Sequence, residues 1–292
     1  MKTLIFGISG QDGFFLKELC IREGLEVIGV SRSEGDWIRG DVSDLKLVEG
    51  LIRAEKPDYV FHLAAHSSIA HGTLFENHET IATGTLNILE SCFRYTRETK
   101  IFLSGSALQF DNKGQPIRES DPFVASSPYV IARNYSVDAG RYFRSIGVQV
   151  YVGYFFHHDS PLRTEHHINQ KVVRAAQRIA QGSREVLELG NLGVKKEFNY
   201  AGDCMEAVWL LVNQNDIYEA LIGSGMAFWI EDWVASCFKF IHKDWKDFVV
   251  VKPGFVPEFT TLVSNPERIT SLGWNPKVNF DELVNMMMNK KS

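Results

Sequence analysis

The sequence predicts an α/β protein built on a doubly wound parallel sheet, with a smaller C-terminal lobe. Three observations carry that prediction. Strand-sized apolar runs alternate with amphipathic stretches through the first half of the chain. Those runs are apolar on both faces, as strands buried between two helical layers must be. A glycine-rich loop, Gly7-Ile8-Ser9-Gly10-Gln11-Asp12-Gly13, separates the first run from the first amphipathic stretch.

In chain order, residues 3–7 read as a buried strand, 10–24 as a helix and 26–31 as a second strand. Residues 44–55 (DLKLVEGLIRAE) repeat apolar side chains at helical spacing. An apolar strand over 59–65 (YVFHLAA) follows, then a helix over 80–95. Residues 101–104 are strand, 128–146 helix and 148–156 strand again. Beyond residue 157 the rhythm changes. A polar loop covers 157–165, a helix 168–182 and a short strand 186–189. Helices are expected over 204–213, 231–242 and 279–290, with an irregular stretch over 243–262. Trp209, Trp233 and Trp274 are expected to pack the lobe. The division is a core over 1–156, with later returns of chain near 186–224, and a lobe over 157–292. The cleft between them is the default ligand site.

Composition narrows the class. The 292 residues are 45% hydrophobic and 23% charged, globular averages that exclude disordered and fibrous chains. The longest apolar runs, about 5–9 residues, are too short to cross a bilayer. Strand character begins at Thr3, with no charged-then-apolar signal segment before it. Cys20, Cys92, Cys204 and Cys237 lack paired spacing, which points to free thiols in a reducing, cytoplasmic setting. A net charge of −5 with mixed signs gives no basic stripe for nucleic acid. The pairs His157-His158 and His166-His167 have no carboxylate or cysteine at ligand spacing, so no metal site is expected.

The glycine loop points to a dinucleotide. Gly7 permits a tight turn, Gly10 lets the backbone approach a pyrophosphate, and Gly13 lets the helix pack close to the strand. The pyrophosphate then sits at the positive helix N-terminus, beside Gln11 and Asp12. At the end of the second strand, Ser31-Arg32-Ser33 places an arginine where a 2′-phosphate is accommodated, which favours NADP over NAD, although Glu34 lies close behind. Asp41, followed by Val42, is positioned for the adenine amino group or for an ordinary turn.

Beyond these signals the chain resembles the GDP-mannose 4,6-dehydratase family of extended short-chain dehydrogenases. The segments are GISGQDG at 7–13, HLAAHS at 62–67, GTLNILES at 84–91 and SPY at 127–129. Others are FFHHDSPLR at 155–163, NQKVVRA at 169–175, LGNLGVKKEFNYAGDCMEAVW at 189–209 and LGWNPKV at 272–278. The resemblance places Leu63, Ala64 and Ala65 against the cofactor. It implies a GDP-sugar held by Arg163, Lys171, Asn191 and Lys196. It also implies a homodimer through helices 80–95 and 128–146. The His157-His158 pair itself reads as polar cleft lining, with His157 as a substrate contact and either histidine as a proton donor.

The expected catalytic group is a Tyr-x-x-x-Lys pair, and the sequence departs from it. Tyr129 stands, but Arg133 replaces the lysine, and arginine presents a bulkier planar fork than an ammonium. Gly105 occupies the place of a substrate-binding hydroxyl, leaving Ser104 or Ser106 to substitute. Ala107 stands where the dehydratases carry the glutamate that removes the C5 proton, and alanine has no acid–base capacity. Val256 falls where family members place an arginine, and the 32–41 stretch is shorter than theirs. The first expectation is therefore NADP-dependent hydride transfer at C4 of a GDP-linked sugar, as a 4-ketoreductase. The alternatives are a 4,6-dehydratase with another base, and a catalytically silent NADP-binding sensor or assembly partner.

Overall fold

The computed structural model describes residues 1–289, so the last residue of the helix expected over 279–290 lies outside the described residues. The first half alternates strand and helix as the apolar runs require. Its elements are β1 (Lys2–Phe6), α1 (Gln11–Arg22), β2 (Glu26–Ser31), β3 (Ile38–Arg39), α2 (Leu45–Glu55) and β4 (Tyr59–His62). After these come α3 (Leu74–Asn77), α4 (Gly84–Tyr95), β5 (Lys100–Ser106), α5 (Pro128–Ser145) and β6 (Gln149–Phe155). Local chemistry sets the helix starts. Asp44 caps α2 by accepting the Lys46 and Leu47 amides, and Ser127 caps α5 ahead of Pro128.

The second half contributes β7 (His158–Asp159), α6 (Ile168–Ala180), β8 (Leu187–Leu189), β9 (Lys195–Glu197) and β10 (Asn199–Tyr200). It continues with α7 (Ala201–Val212), β11 (Glu219–Ile222), β12 (Ala227–Trp229) and α8 (Ile230–Phe240). Last are β13 (Val249–Val251), β14 (Thr261–Leu262), α9 (Glu267–Ser271) and α10 (Phe280–Asn289).

Seven parallel strands form one sheet in the order β11-β6-β5-β4-β1-β2-β3. This is the doubly wound Rossmann architecture. The strand order reverses between β1 and β4, which opens a crevice at the carboxyl ends of the strands. One face is covered by α2, α4 and α5 through Val48, Ile52, Ile88, Leu89 and Val137. The other is covered by α1 and α7 through Leu16, Leu19, Met205, Val208 and Leu211. A separate apolar cluster joins α6, α8 and α10 around Trp233, Phe238 and Met287.

Several expectations are corrected. The 59–65 run is strand only to His62, and Ala64 beyond it packs closely against Gly7. Trp209 and Trp274 pack with α7 and β4 on the large sheet, and of the three tryptophans Trp233 alone is in the lobe cluster. The 186–189 segment does not return to the large sheet; β8 pairs with β13 in a two-stranded sheet, while α7 and β11 make the return. The polar 157–165 loop and the irregular 243–262 stretch both contain strand, in β7, β13 and β14.

Candidate active site

Two cavities share the crevice. The smaller, about 160 Å³, is lined by Gly7, Gly10, Arg32, Asp41, Val42, Leu63, Ala64 and Ala65. Gly7 has φ +94°, and a Cβ there would lie 2.6 Å from the Ala64 nitrogen. A Cβ on Gly13 would lie 2.4 Å from the Gly7 carbonyl oxygen. The turn and the close packing therefore both require glycine, and a Cβ on Gly10 would meet only the Gly7 oxygen, leaving its backbone open to the cavity. These features fit the pyrophosphate and adenosine of a dinucleotide. Arg32 is exposed, with Nη1 4.0 Å from Asp41 Oδ2, and Glu34 turns away to Arg39 at 3.2 Å. Asp41 Oδ1 accepts the amide and hydroxyl of Ser43, so it also closes its own turn.

The larger cavity, about 370 Å³, runs from Gly10, Gln11, Asp12 and Gly13 past Ser104, Ser106 and Tyr129 to His157, Arg163 and Lys196. Tyr129 is half-buried in the first turn of α5. The Arg133 guanidinium carbon lies 5.2 Å from the Tyr129 ring centroid. Arg133 is almost fully buried, and its Nη1 donates to the carbonyl oxygen of Ser104 and, at 2.7 Å, to the Ser104 hydroxyl oxygen. The Ser104 hydroxyl in turn donates to the His62 carbonyl at 2.9 Å. Ser104 is therefore fully engaged below the cavity and does not present a free hydroxyl to a ligand. Ser106 accepts the Leu108 amide at 3.3 Å, and its hydrogen has no protein acceptor among the described residues. Gly105 is explained sterically: a Cβ there would lie 2.5 Å from Tyr154 Cδ1 and 3.0 Å from Gln109 Oε1.

The lobe side of the cavity is cationic. His157 Nε2 lies 2.6 Å from Asp159 Oδ2, 2.8 Å from Asn169 Nδ2 and 3.3 Å from Lys196 Nζ. Arg163 Nε is 3.6 Å from Asp159 Oδ1. Burial, reinforced by Lys196, pushes His157 down to about 4 against the pull of Asp159. His157 is thus neutral near pH 7. Burial likewise lowers His167 to about 4 and Lys196 to about 8. Burial alone would raise Asp159, yet His157, Arg163 and Lys196 outweigh it and hold its carboxyl far below the ordinary range.

The structure does not bring every expected residue here. Lys171 is exposed and donates to the Glu188 carbonyl at 2.8 Å, outside both cavities. Asn191 accepts the Gly193 amide at 2.7 Å and closes a turn, also outside both cavities. Lys171 is spent tying α6 to β8, and Asn191 on its own turn. Conversely, Asp159 and Asn169 organise the cationic wall but were not expected. Their signal was the acidic residue beside the His157-His158 pair, which read only as loop polarity.

The family model for GDP-mannose 4,6 dehydratase matches residues 4–287. GDP-mannose 4,6 dehydratase 1 of Arabidopsis thaliana is 30% identical over 323 residues, covering 99% of this chain and 89% of the relative. The fold is similar to that of UDP-glucose 4-epimerase from Thermotoga maritima, solved with UDP-glucose. That likeness has a TM-score of 0.88 at 22% identity, over 99% of this chain and 97% of the other. It is also similar to RMD from Pseudomonas aeruginosa complexed with NADPH, with a TM-score of 0.84 at 18% identity, over 98% and 96% of the two chains.

Proposed function

The chain belongs to the GDP-mannose 4,6-dehydratase family, and on that premise we propose that it is an NADP-dependent 4-ketoreductase of a GDP-linked sugar. The observation that carries this reading is the missing base. Among the described residues lining the larger cavity, Asp12 is the only acid, and His158 Nε2 holds it at 3.0 Å. Ala107 lines the cavity without any group to remove a C5 proton. A reduction has no need of one.

The cofactor supplies hydride when bound. Gly7, Gly10 and Gly13 would hold its diphosphate, Arg32 would meet a 2′-phosphate, and Asp41 would border the adenosine. Tyr129 delivers the proton to the 4-oxygen, and Ser106 donates a hydrogen bond to the same oxygen. Arg133 fixes Ser104 beneath Tyr129 and keeps a positive charge beside its ring. Arg163 and Lys196 receive the sugar diphosphate. Four free, buried cysteines support a reducing, cytoplasmic location.

The test offers two substrates. GDP-4-keto-6-deoxymannose with NADPH is expected to give continuous cofactor oxidation, and GDP-mannose with NADP is expected to yield no 4-keto product. Accumulation of that product from GDP-mannose contradicts the assignment. A second reading, a catalytically silent cofactor-binding protein, is favoured by one observation: Nη1 of Arg133, the residue in place of the lysine, is committed to Ser104. It predicts cofactor binding with no oxidation of NADPH by any keto sugar.

A further inference from the structure

A carboxylate in the first turn of α1 is, by itself, the wrong group to meet a diphosphate. The N-terminus of a helix attracts anions through its free amides and its dipole. Asp12 sits in that turn and lines the cavity, so a full negative charge there repels an incoming diphosphate at short range. The chain brings a counter-charge from far away in sequence. His158 Nε2 lies 3.0 Å from Asp12 Oδ1, and His158 Nδ1 lies 2.8 Å from the Phe156 carbonyl oxygen. A carboxylate and a carbonyl only accept hydrogen bonds, so each ring nitrogen faces an acceptor and each must carry a hydrogen. That is the imidazolium. Ser160 adds a second stitch by donating to Gln11 Oε1 at 2.8 Å.

We propose that His158 is a positioning residue for the dinucleotide: its imidazolium cancels the charge of Asp12, so that the start of α1 accepts a diphosphate. The inference rests on the reading of the glycine loop as a dinucleotide site. The surroundings agree with it. Burial and Arg163 both oppose a charge on His158, but the Asp12 carboxylate outweighs them and raises the imidazole above its ordinary range. Burial would raise Asp12, yet His158, with help from Arg163 and the Gln11 amide, holds it low. Cys204, whose thiol also feels Asp12, is kept protonated by burial and contributes no charge. The Phe155 ring, 5.0 Å from the imidazole, is neutral. On the far side of His158, Asp159 is already paired with His157 and Arg163.

The sign follows. Below the raised His158 value, imidazolium and carboxylate cancel. As pH rises through it, the imidazolium is lost while Asp12 stays ionised, and cofactor affinity falls.

The experiment measures NADPH dissociation constants on the full chain by calorimetry, from about pH 6 to about pH 9. Each variant is compared with wild type at the same pH, which removes the titration of the cofactor's own phosphate. Wild type is expected to lose about tenfold in affinity relative to Asp12→Asn across the range, the effect of about one pKa unit of interaction. His158→Gln keeps a donor but no charge, and is expected to bind weakly throughout, with no such fall. Asp12→Asn/His158→Gln, lacking both charges, is expected to recover the affinity of wild type at low pH. A double variant as weak as His158→Gln, or a wild type that parallels Asp12→Asn at every pH, overturns the proposal and reduces the pair to packing. If wild type and all variants fail to bind NADPH at any pH while their thermal unfolding remains cooperative, the dinucleotide reading itself falls, and this inference with it.

Discussion

Lys196 is held in the cleft with its charge close to the point of loss. Burial depresses its ammonium to about 8, Asp159 pulls the other way, and Arg163 adds to the depression. The side chain is charged below that pH and neutral above it. Affinity for GDP is therefore expected to decline as pH rises past about 8, and Lys196→Arg, which stays charged, is expected to abolish the decline. Calorimetric titration of GDP across that range checks it, and a wild-type affinity that does not change with pH contradicts it. The two serines separate in the same spirit. Ser106→Ala is expected to slow reduction by about 10²-fold with little loss of stability, because it removes a donor aimed at the reacting oxygen. Ser104→Ala is expected to do the opposite, since its hydroxyl bridges Arg133 and the His62 carbonyl. Steady-state kinetics beside urea unfolding distinguishes them. Sequence left the choice between these serines open because the partners that decide it, Arg133 and His62, lie 29 and 42 residues away. Lys171 and Asn191 were misplaced for a related reason: a resemblance gives the segment, but only the fold says which way the side chain turns.

Strand β5 and strand β6 run side by side, and their contact explains the most conspicuous sequence departure. Gly105 faces Tyr154 across the register, and the Tyr154 hydroxyl donates to Glu219 Oε2 at 2.7 Å, where Arg141 and Arg144 also converge. The tyrosine is thus fixed from its far end and cannot move to admit a side chain at 105. Gly105→Ser is expected to destabilise the protein by about 1–3 kcal/mol, the usual cost of overpacking. Chemical denaturation with an unchanged slope checks it, and a neutral effect would show that the β5–β6 contact is loose. Long elements with clear periods, such as α5, α6 and β6, were legible in the sequence. Of the strands of two or three residues, β8 was legible, while β3, β7, β9, β10, β12, β13 and β14 were not. So short a strand has no period to read, and its identity comes from a distant partner, as β9 pairs with both β12 and β14.

The two halves of the molecule are joined by a buried acid as well as by packing. Glu197, fully buried in β9, accepts the Ser264 amide and hydroxyl at 2.6 Å each, the Ser224 amide at 2.7 Å and the Asn199 side-chain amide at 3.0 Å. It pins the chain leaving β11 and the chain leaving β14 to the lobe strand. Glu197→Ala strands the Ser264 amide and takes an acceptor from the Asn199 side-chain amide, while the Ser224 amide keeps Asn199 Oδ1 at 3.1 Å. The change is expected to cost about 3 kcal/mol, read as a lower thermal midpoint. Leu86, Ile131, Tyr135 and Tyr142 are exposed on α4 and α5, the helices through which the resemblance implied a homodimer. The sheet and its crevice could be read from the alternation of runs and the glycine loop. The cationic wall could not, because it is assembled within the lobe from β7, α6 and β9, with Lys196 reaching His157 from 39 residues away. The central claim, that Tyr129 serves a reduction at C4, is tested most directly by single-turnover NADPH oxidation with GDP-4-keto-6-deoxymannose. Wild type is predicted to oxidise the cofactor and Tyr129→Phe to lose that activity. Equal oxidation by the two proteins, or none by wild type with both ligands bound, would contradict it.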